Sequence, residues 1–249
     1  MIKDNSLDRP QPPLTPRWGW RDLFITLLVI GLGGSLTILG LRFVADIANW
    51  DTSRGFISLP VYLAGTLLYL IIGGAILAVI GPRAGWRDLG LQWPHWMYLA
   101  LVPPVFIFGM GMMFLTNLGM VLLFGEFQNP QIESLSGGQP FGLSELLALL
   151  ILVAGIVPLV EELFFRGVLH HLLRRRFSAA VTIVLGAAIF AVVHFIPVLV
   201  PGLFVAGLCL GYLREQSGSI WPSVLFHMLQ NTLALLAMAF VLATGGGAG

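Results

Sequence analysis

Charge is what this chain has least of. Only 10% of its 249 residues are Asp, Glu, Lys or Arg, against 57% hydrophobic, and the mean hydropathy is +0.90. Soluble domains carry about 25% charged residues, so a soluble enzyme or carrier is excluded and an integral membrane protein is expected. The net charge of +1, with basic residues gathered at the ends of apolar runs, offers no nucleic-acid footprint. Cysteine is nearly absent as well. Cys209 is alone, which excludes an intrachain disulfide and a thiolate zinc site. No HExxH helix occurs, and no internal repeat supports an inverted-repeat transporter. A cleavable signal peptide is not expected either, because residues 1–22 are polar and Pro-rich and the apolar run after them is too long for an h-region.

What remains is long apolar segments. Stretches near 23–44, 57–80, 97–124, 146–173, 178–196, 200–213 and 220–243 predict an all-α polytopic transmembrane helical bundle. About seven spans are expected, with six to eight allowed because the sixth stretch is short. Orientation follows from the thirteen Lys and Arg residues. With the N-terminus cytoplasmic, Lys3, Arg9, Arg17, Arg21, Arg83, Arg87, Arg174, Arg175, Arg176 and Arg214 fall inside, and only Arg42 and Arg54 fall outside. All seven tryptophans stand near span ends, as an interfacial belt requires. The organisation expected is a cytoplasmic Pro-rich tail at 1–22, N-terminal helices at 23–125, an outer loop at 126–143 and a catalytic helical core at 144–243. The plasma membrane of a prokaryote is the expected location.

Local signals refine this outline. Pro103 and Pro104 should kink or delay the third span. Ser144 is expected to cap the fourth, with Glu145 in its first turn. Pro158 should free a backbone carbonyl and bend that helix three residues before Glu161. Gly207 and Gly211 form a GxxxG pattern that permits close helix packing.

The polar residues within these apolar stretches are few and specific. Glu161, Glu162 and Arg166 share the fourth span, His194 ends the fifth, and His227 and Asn231 share the last. Each buried ionised group costs about 2.5–3.5 kcal/mol on insertion scales, so the group must be paired or put to use. Glu162 and Arg166, at i and i+4, lie on one face and can pair, whereas Glu161 is turned about 100 degrees away and remains a free carboxylate. Counting about 1.5 Å per residue from the cytoplasmic ends puts Arg166 and His227 roughly 12 Å deep, Asn231 18, Glu161 20 and His194 24. Three helices therefore bring these groups into one band. Glu161 and His194 could hold a water, with Glu161 taking its proton as it attacks an amide carbonyl, while His227 and Asn231 stabilise the oxyanion. No Ser or Cys with a neighbouring base lies in the band, which argues against an acyl-enzyme route.

The ordered set Glu161-Glu162-x-x-x-Arg166, Phe190-x-x-x-His194 and His227-x-x-x-Asn231 resembles the CAAX protease and bacteriocin-processing (CPBP) family of intramembrane glutamic endopeptidases. The likeness covers about residues 144–243, and the connector at 86–91 is also similar. It implies Glu161 as the water-activating base, His194 as its partner, His227 and Asn231 as the oxyanion site, and a supporting role for Glu162 and Arg166. It implies no cofactor and no metal. The partners implied are the lipid bilayer and a peptide or membrane-protein substrate, with a prenylated C-terminal tail among the candidates, reaching the site from the cytoplasm or laterally from lipid. Two other readings use the same residues. One is a zinc metalloprotease with Glu161, His194 and His227 as ligands; the other is a non-catalytic scaffold or immunity protein that binds a peptide without cutting it. A proton relay or transporter ranks behind both.

Overall fold

The computed structural model describes residues 17–125 and 130–244, and every regular element among them is a helix. The tail prolines Pro10, Pro12, Pro13 and Pro16, with Lys3 and Arg9, lie outside the described residues, as do Glu126, Gln128 and Asn129 of the outer loop. Among the described residues six helices are long and apolar enough to cross a membrane, and a seventh, shorter apolar helix accompanies them. The chain is thus a multi-pass helical bundle. In order, α1 is Trp20–Ala48, α2 Leu59–Val79, α3 Trp96–Ala100, α4 Val102–Phe124, α5 Pro130–Ser136, α6 Leu143–Leu149, α7 Val157–Glu162, α8 His170–Arg174, α9 Ala179–Val192, α10 Val200–Ser217 and α11 Trp221–Ala243. Two π-helical segments, Leu150–Ile156 and Leu163–Leu169, join α6, α7 and α8 into one continuous span, Leu143–Arg174.

Several local expectations change. The fifth apolar stretch forms a helix of only 14 residues that stops at Val192, whereas the short sixth lengthens into Pro197–Ser217. The chain turns between them through Phe195, at φ 55°, and a 3-10 turn at Pro197–Leu199. Pro197 explains the early stop, since the residue before a proline is pushed out of the α region. Pro103 and Pro104 do not kink a helix interior. They sit in the first turn of α4, after a break at Leu101, where their missing N–H groups would have had no helical partner. Gly142, not Ser144, caps α6, and the Glu145 carboxylate accepts its N–H at 2.7 Å. Trp18 leaves the interfacial belt: only 2% exposed, it stacks on His171 and lies under Arg175, which donates to the Trp18 carbonyl.

Packing is tightest where α9 meets α10. A Cβ placed on Gly207 would come within 2.7 Å of the Ala187 Cα, and one on Gly211 within 3.2 Å of Ile183. The GxxxG pattern therefore sets the separation of the two helices that carry His194 and the Gly207 carbonyl. Gly207→Val should destabilise the protein by about 1–3 kcal/mol through overpacking, while Gly186→Val, with open space around its Cβ, should lie within about 0.5 kcal/mol of wild type. Thermal unfolding of the two variants in detergent checks this.

Candidate active site

The two π segments bracket the carboxylate pair, and Pro158 accounts for one of them. In the first segment the Val157 N–H reaches five residues back to the Leu152 carbonyl. The Val153 carbonyl would then look to residue 158, but proline has no N–H. Asn231 supplies the missing donor, its Nδ2 giving a hydrogen bond to the Val153 carbonyl at 2.8 Å. The second segment repeats the pattern. There the His170 N–H bonds the Phe165 carbonyl, and Arg214 Nε donates to the Arg166 carbonyl at 2.9 Å. Helical phase is shifted on both sides of α7, and each shift is held by a side chain from another helix.

Glu162 is fully enclosed. Its Oε1 accepts from Arg166 at 2.9 Å and lies 3.0 Å from His227 Nδ1. Arg166, itself buried, passes a second bond to the Gly207 carbonyl at 3.3 Å and lies over the Phe190 ring, 4.6 Å from its centroid. The i, i+4 pair anticipated from the sequence is therefore present, and His227 joins it from α11. Because a carboxylate only accepts, His227 directs Nδ1–H to Glu162 and leaves Nε2 toward Glu161, 3.9 Å from its Oε2.

Glu161 faces the other way, into a cavity of about 540 Å³. Its Oε1 accepts a hydrogen bond from the Tyr69 hydroxyl at 2.9 Å. His194, Asn231 and His227 line the same cavity, together with Asn117 and Gln230. His194 stands just beyond the end of α9, and its Nδ1 lies 2.6 Å from the Phe190 carbonyl. A carbonyl can only accept, so the proton is on Nδ1 and Nε2 keeps a lone pair. The Asn231 amide gives one of its N–H groups to Val153, and its second remains for a ligand. A separate apolar cleft of about 430 Å³ borders Glu161 and Tyr69 on the side of Leu27, Phe164 and Ile189. Among the described residues no three His, Cys, Asp or Glu side chains converge tightly enough to hold one metal ion, so the ligand set considered for zinc does not form.

Residues 143–233 match the family model for type II CAAX prenyl endopeptidase Rce1-like proteins. Over those residues the chain is similar to that family. Neither the curated proteins nor the solved structures yield a match. Rce1-like proteins are proteases, and the match, with six helices long and apolar enough to cross a membrane, supports a CAAX-protease-like intramembrane endopeptidase in general. Glu161, Glu162, Arg166, His194, His227 and Asn231 all fall within the matched segment. Tyr69 does not, and sequence reasoning missed it. The available signal was a phenol in the middle of an apolar span, since a buried Tyr hydroxyl needs a partner.

Two outcomes follow for stability and turnover. Arg166→Ala should cost about 3–5 kcal/mol by leaving a buried carboxylate unpaired, and Glu162→Gln combined with Arg166→Leu should recover part of that loss in an unfolding titration. Tyr69→Phe should leave stability and KM nearly unchanged but lower kcat by about 10–100-fold, the equivalent of one hydrogen bond to a charged group. A merely structural Tyr69 would shift stability and leave kcat alone.

Proposed function

We propose that this protein hydrolyses a peptide bond with a water activated by Glu161 and His194. The observation that carries the reading is one cavity lined by Glu161, His194, His227 and Asn231, in which the Glu161 carboxylate is already oriented by Tyr69. Glu161 Oε2 accepts a proton from the water, while the lone pair on His194 Nε2 accepts a hydrogen bond from its other hydrogen. The water oxygen forms a bond to the scissile carbonyl carbon, and the carbonyl π electrons move to oxygen. The resulting oxyanion is met by the second N–H of Asn231 and, in the protonated ring, by His227 Nε2–H. Pre-arranged donors in a site poor in water act strongly on developing charge. On collapse the C–N bond breaks and the proton held by Glu161 passes to the leaving amine. The second proton of the water stays on the new hydroxyl, so the products are a carboxylic acid and an amine, and no covalent enzyme intermediate forms.

Glu162 and Arg166 act at one remove. Glu162 fixes the His227 ring through Nδ1, and Arg166 holds Glu162 in place. The substrate class is a peptide or membrane-protein segment. The family description names prenylated CAAX tails, and such a tail belongs in any substrate panel.

The test is cleavage of a quenched-peptide panel, prenylated C-terminal peptides included, by purified wild type, Glu161→Ala and His194→Ala, with and without a zinc chelator. Wild type should cleave with or without chelator, and both variants should fold normally yet lose turnover by at least about 10³-fold. Normal turnover by folded Glu161→Ala would refute the mechanism, chelator-sensitive cleavage would replace it with metal catalysis, and bound but intact peptide would point to a scaffold.

A further inference from the structure

Two carboxamides in the catalytic cavity take no part in the steps above. Asn117 of α4 and Gln230 of α11 both line it. The Gln230 Oε1 is buried and has no hydrogen-bond partner among the described residues. The Asn117 amide likewise makes no hydrogen bond to any described residue. An amide taken out of water without a partner is unfavourable, and a lipid surrounding offers no substitute. Native proteins pair nearly all such groups, so two exceptions in one cavity point to what the cavity receives.

Their placement narrows the occupant. On α11, His227, Gln230 and Asn231 stand at i, i+3 and i+4, so Gln230 shares the face that carries the two groups assigned to the oxyanion. On α4, Met110, Met113 and Asn117 stand at i, i+3 and i+7 and form the face turned to the same cavity. Gly202 of α10 lines it too. A Cβ there would lie 3.5 Å from Asn117 Oδ1, and the absent side chain leaves room beside that oxygen. Much of the remaining wall is apolar, with Phe56, Leu152, Val157, Leu203 and Ala234 in it. A carboxamide holds a carbonyl acceptor and N–H donors in one plane, as a peptide unit does, and it is neutral. A polypeptide opened for cleavage among such walls gives up hydration at each peptide unit beside the scissile bond, and each then needs a partner.

We propose that Gln230 and Asn117 bind the main chain of the substrate, Gln230 at a peptide unit adjoining the scissile bond and Asn117 at a further one, so that the segment is held extended. This rests on the proteolytic reading of the site, and the two can fail separately.

The first measurement needs no substrate. Gln230→Met and Asn117→Leu each exchange an unpaired amide for an apolar group of similar size, so both should unfold in detergent at or above the wild-type Tm. A Tm lower by more than about 2 °C reveals a structural partner and overturns the assignment for that residue. Binding of the dye-labelled panel peptides to Glu161→Ala protein is then followed by fluorescence anisotropy, with and without the second substitution. Each should raise Kd about 3–10-fold, the worth of one hydrogen bond. An unchanged Kd, or no peptide bound, overturns the contact. Analogues of the tightest peptide, with one backbone N–H at a time replaced by an ester oxygen, locate it. At one position the ester should weaken binding to Glu161→Ala protein about 3–10-fold yet add nothing in the Gln230→Met background. Equal losses in both backgrounds at every position assign Gln230 to cavity water and overturn the main-chain contact. Peptides bound in a Gln230-dependent way but never cut by wild type would sink the proteolytic reading and leave the contact standing. Cleavage by Gln230→Met with kcat lowered and KM unchanged would put Gln230 in the chemical step and overturn its binding role.

Discussion

The enclosed carboxylate of Glu162 is the point from which the rest of the site is fixed. Burying an ion costs several kcal/mol, and that cost is offset only when its partners are close and themselves satisfied. Glu162 meets that condition at Oε1, drawing on two helices at once, Arg166 one turn along its own span and His227 from α11, while its buried Oε2 has no hydrogen-bond partner among the described residues. Arg166 extends the arrangement to α10 through the Gly207 carbonyl, which is within reach only because Gly207 and Gly211 let α9 and α10 approach so closely. A packing motif and an electrostatic one thus depend on each other. The carboxylate next door is left with a neutral phenol for a partner and a cavity in front of it.

The π segments show how a single helix can serve both purposes. A regular α-helix turns adjacent side chains by about 100 degrees, enough to separate Glu161 from Glu162 but not enough to decide what each will face. Widened turns on either side rotate α7 relative to its flanks, and segments of this kind recur at functional sites. Each leaves a carbonyl outside the helical ladder. Asn231 and Arg214 take up those carbonyls, so the irregular backbone is tied to α11 and α10 instead of standing unsatisfied in an apolar surrounding.

Much of this was legible in the sequence because membranes make polar residues conspicuous. The helical bundle and most of its spans could be read from composition, and the Glu162–Arg166 contact followed from i, i+4 spacing alone. Pro158 announced that a carbonyl would be freed. Which carbonyl, and that Asn231 would take it, could not be read, because a π turn shifts register without leaving a residue signature of its own. His194 was placed inside a helix although it lies beyond one; Pro197 carried the information, but a run of apolar residues up to 196 hid it. Tyr69 was invisible for a different reason. Its partner is 92 positions away, and a tyrosine in an apolar span reads as bulk until the fold shows what its hydroxyl meets.

The brevity of α9 bears on the reactant that a bilayer excludes. Fourteen residues rise only about 21 Å, against a hydrocarbon thickness of about 30 Å, so α9 alone is too short to cross, unlike its partner α10. Its outward side chains, Val184, Ile189, Val192 and Val193 among them, present a hydrophobic band too short for the surrounding lipid. Lipid answers such a mismatch by thinning locally. Acyl chains beside the short helix would then sag toward it, and the headgroup layer with them. Thinned lipid at the end of α9 would bring the headgroup layer, and with it water, nearer to the cavity that His194 lines.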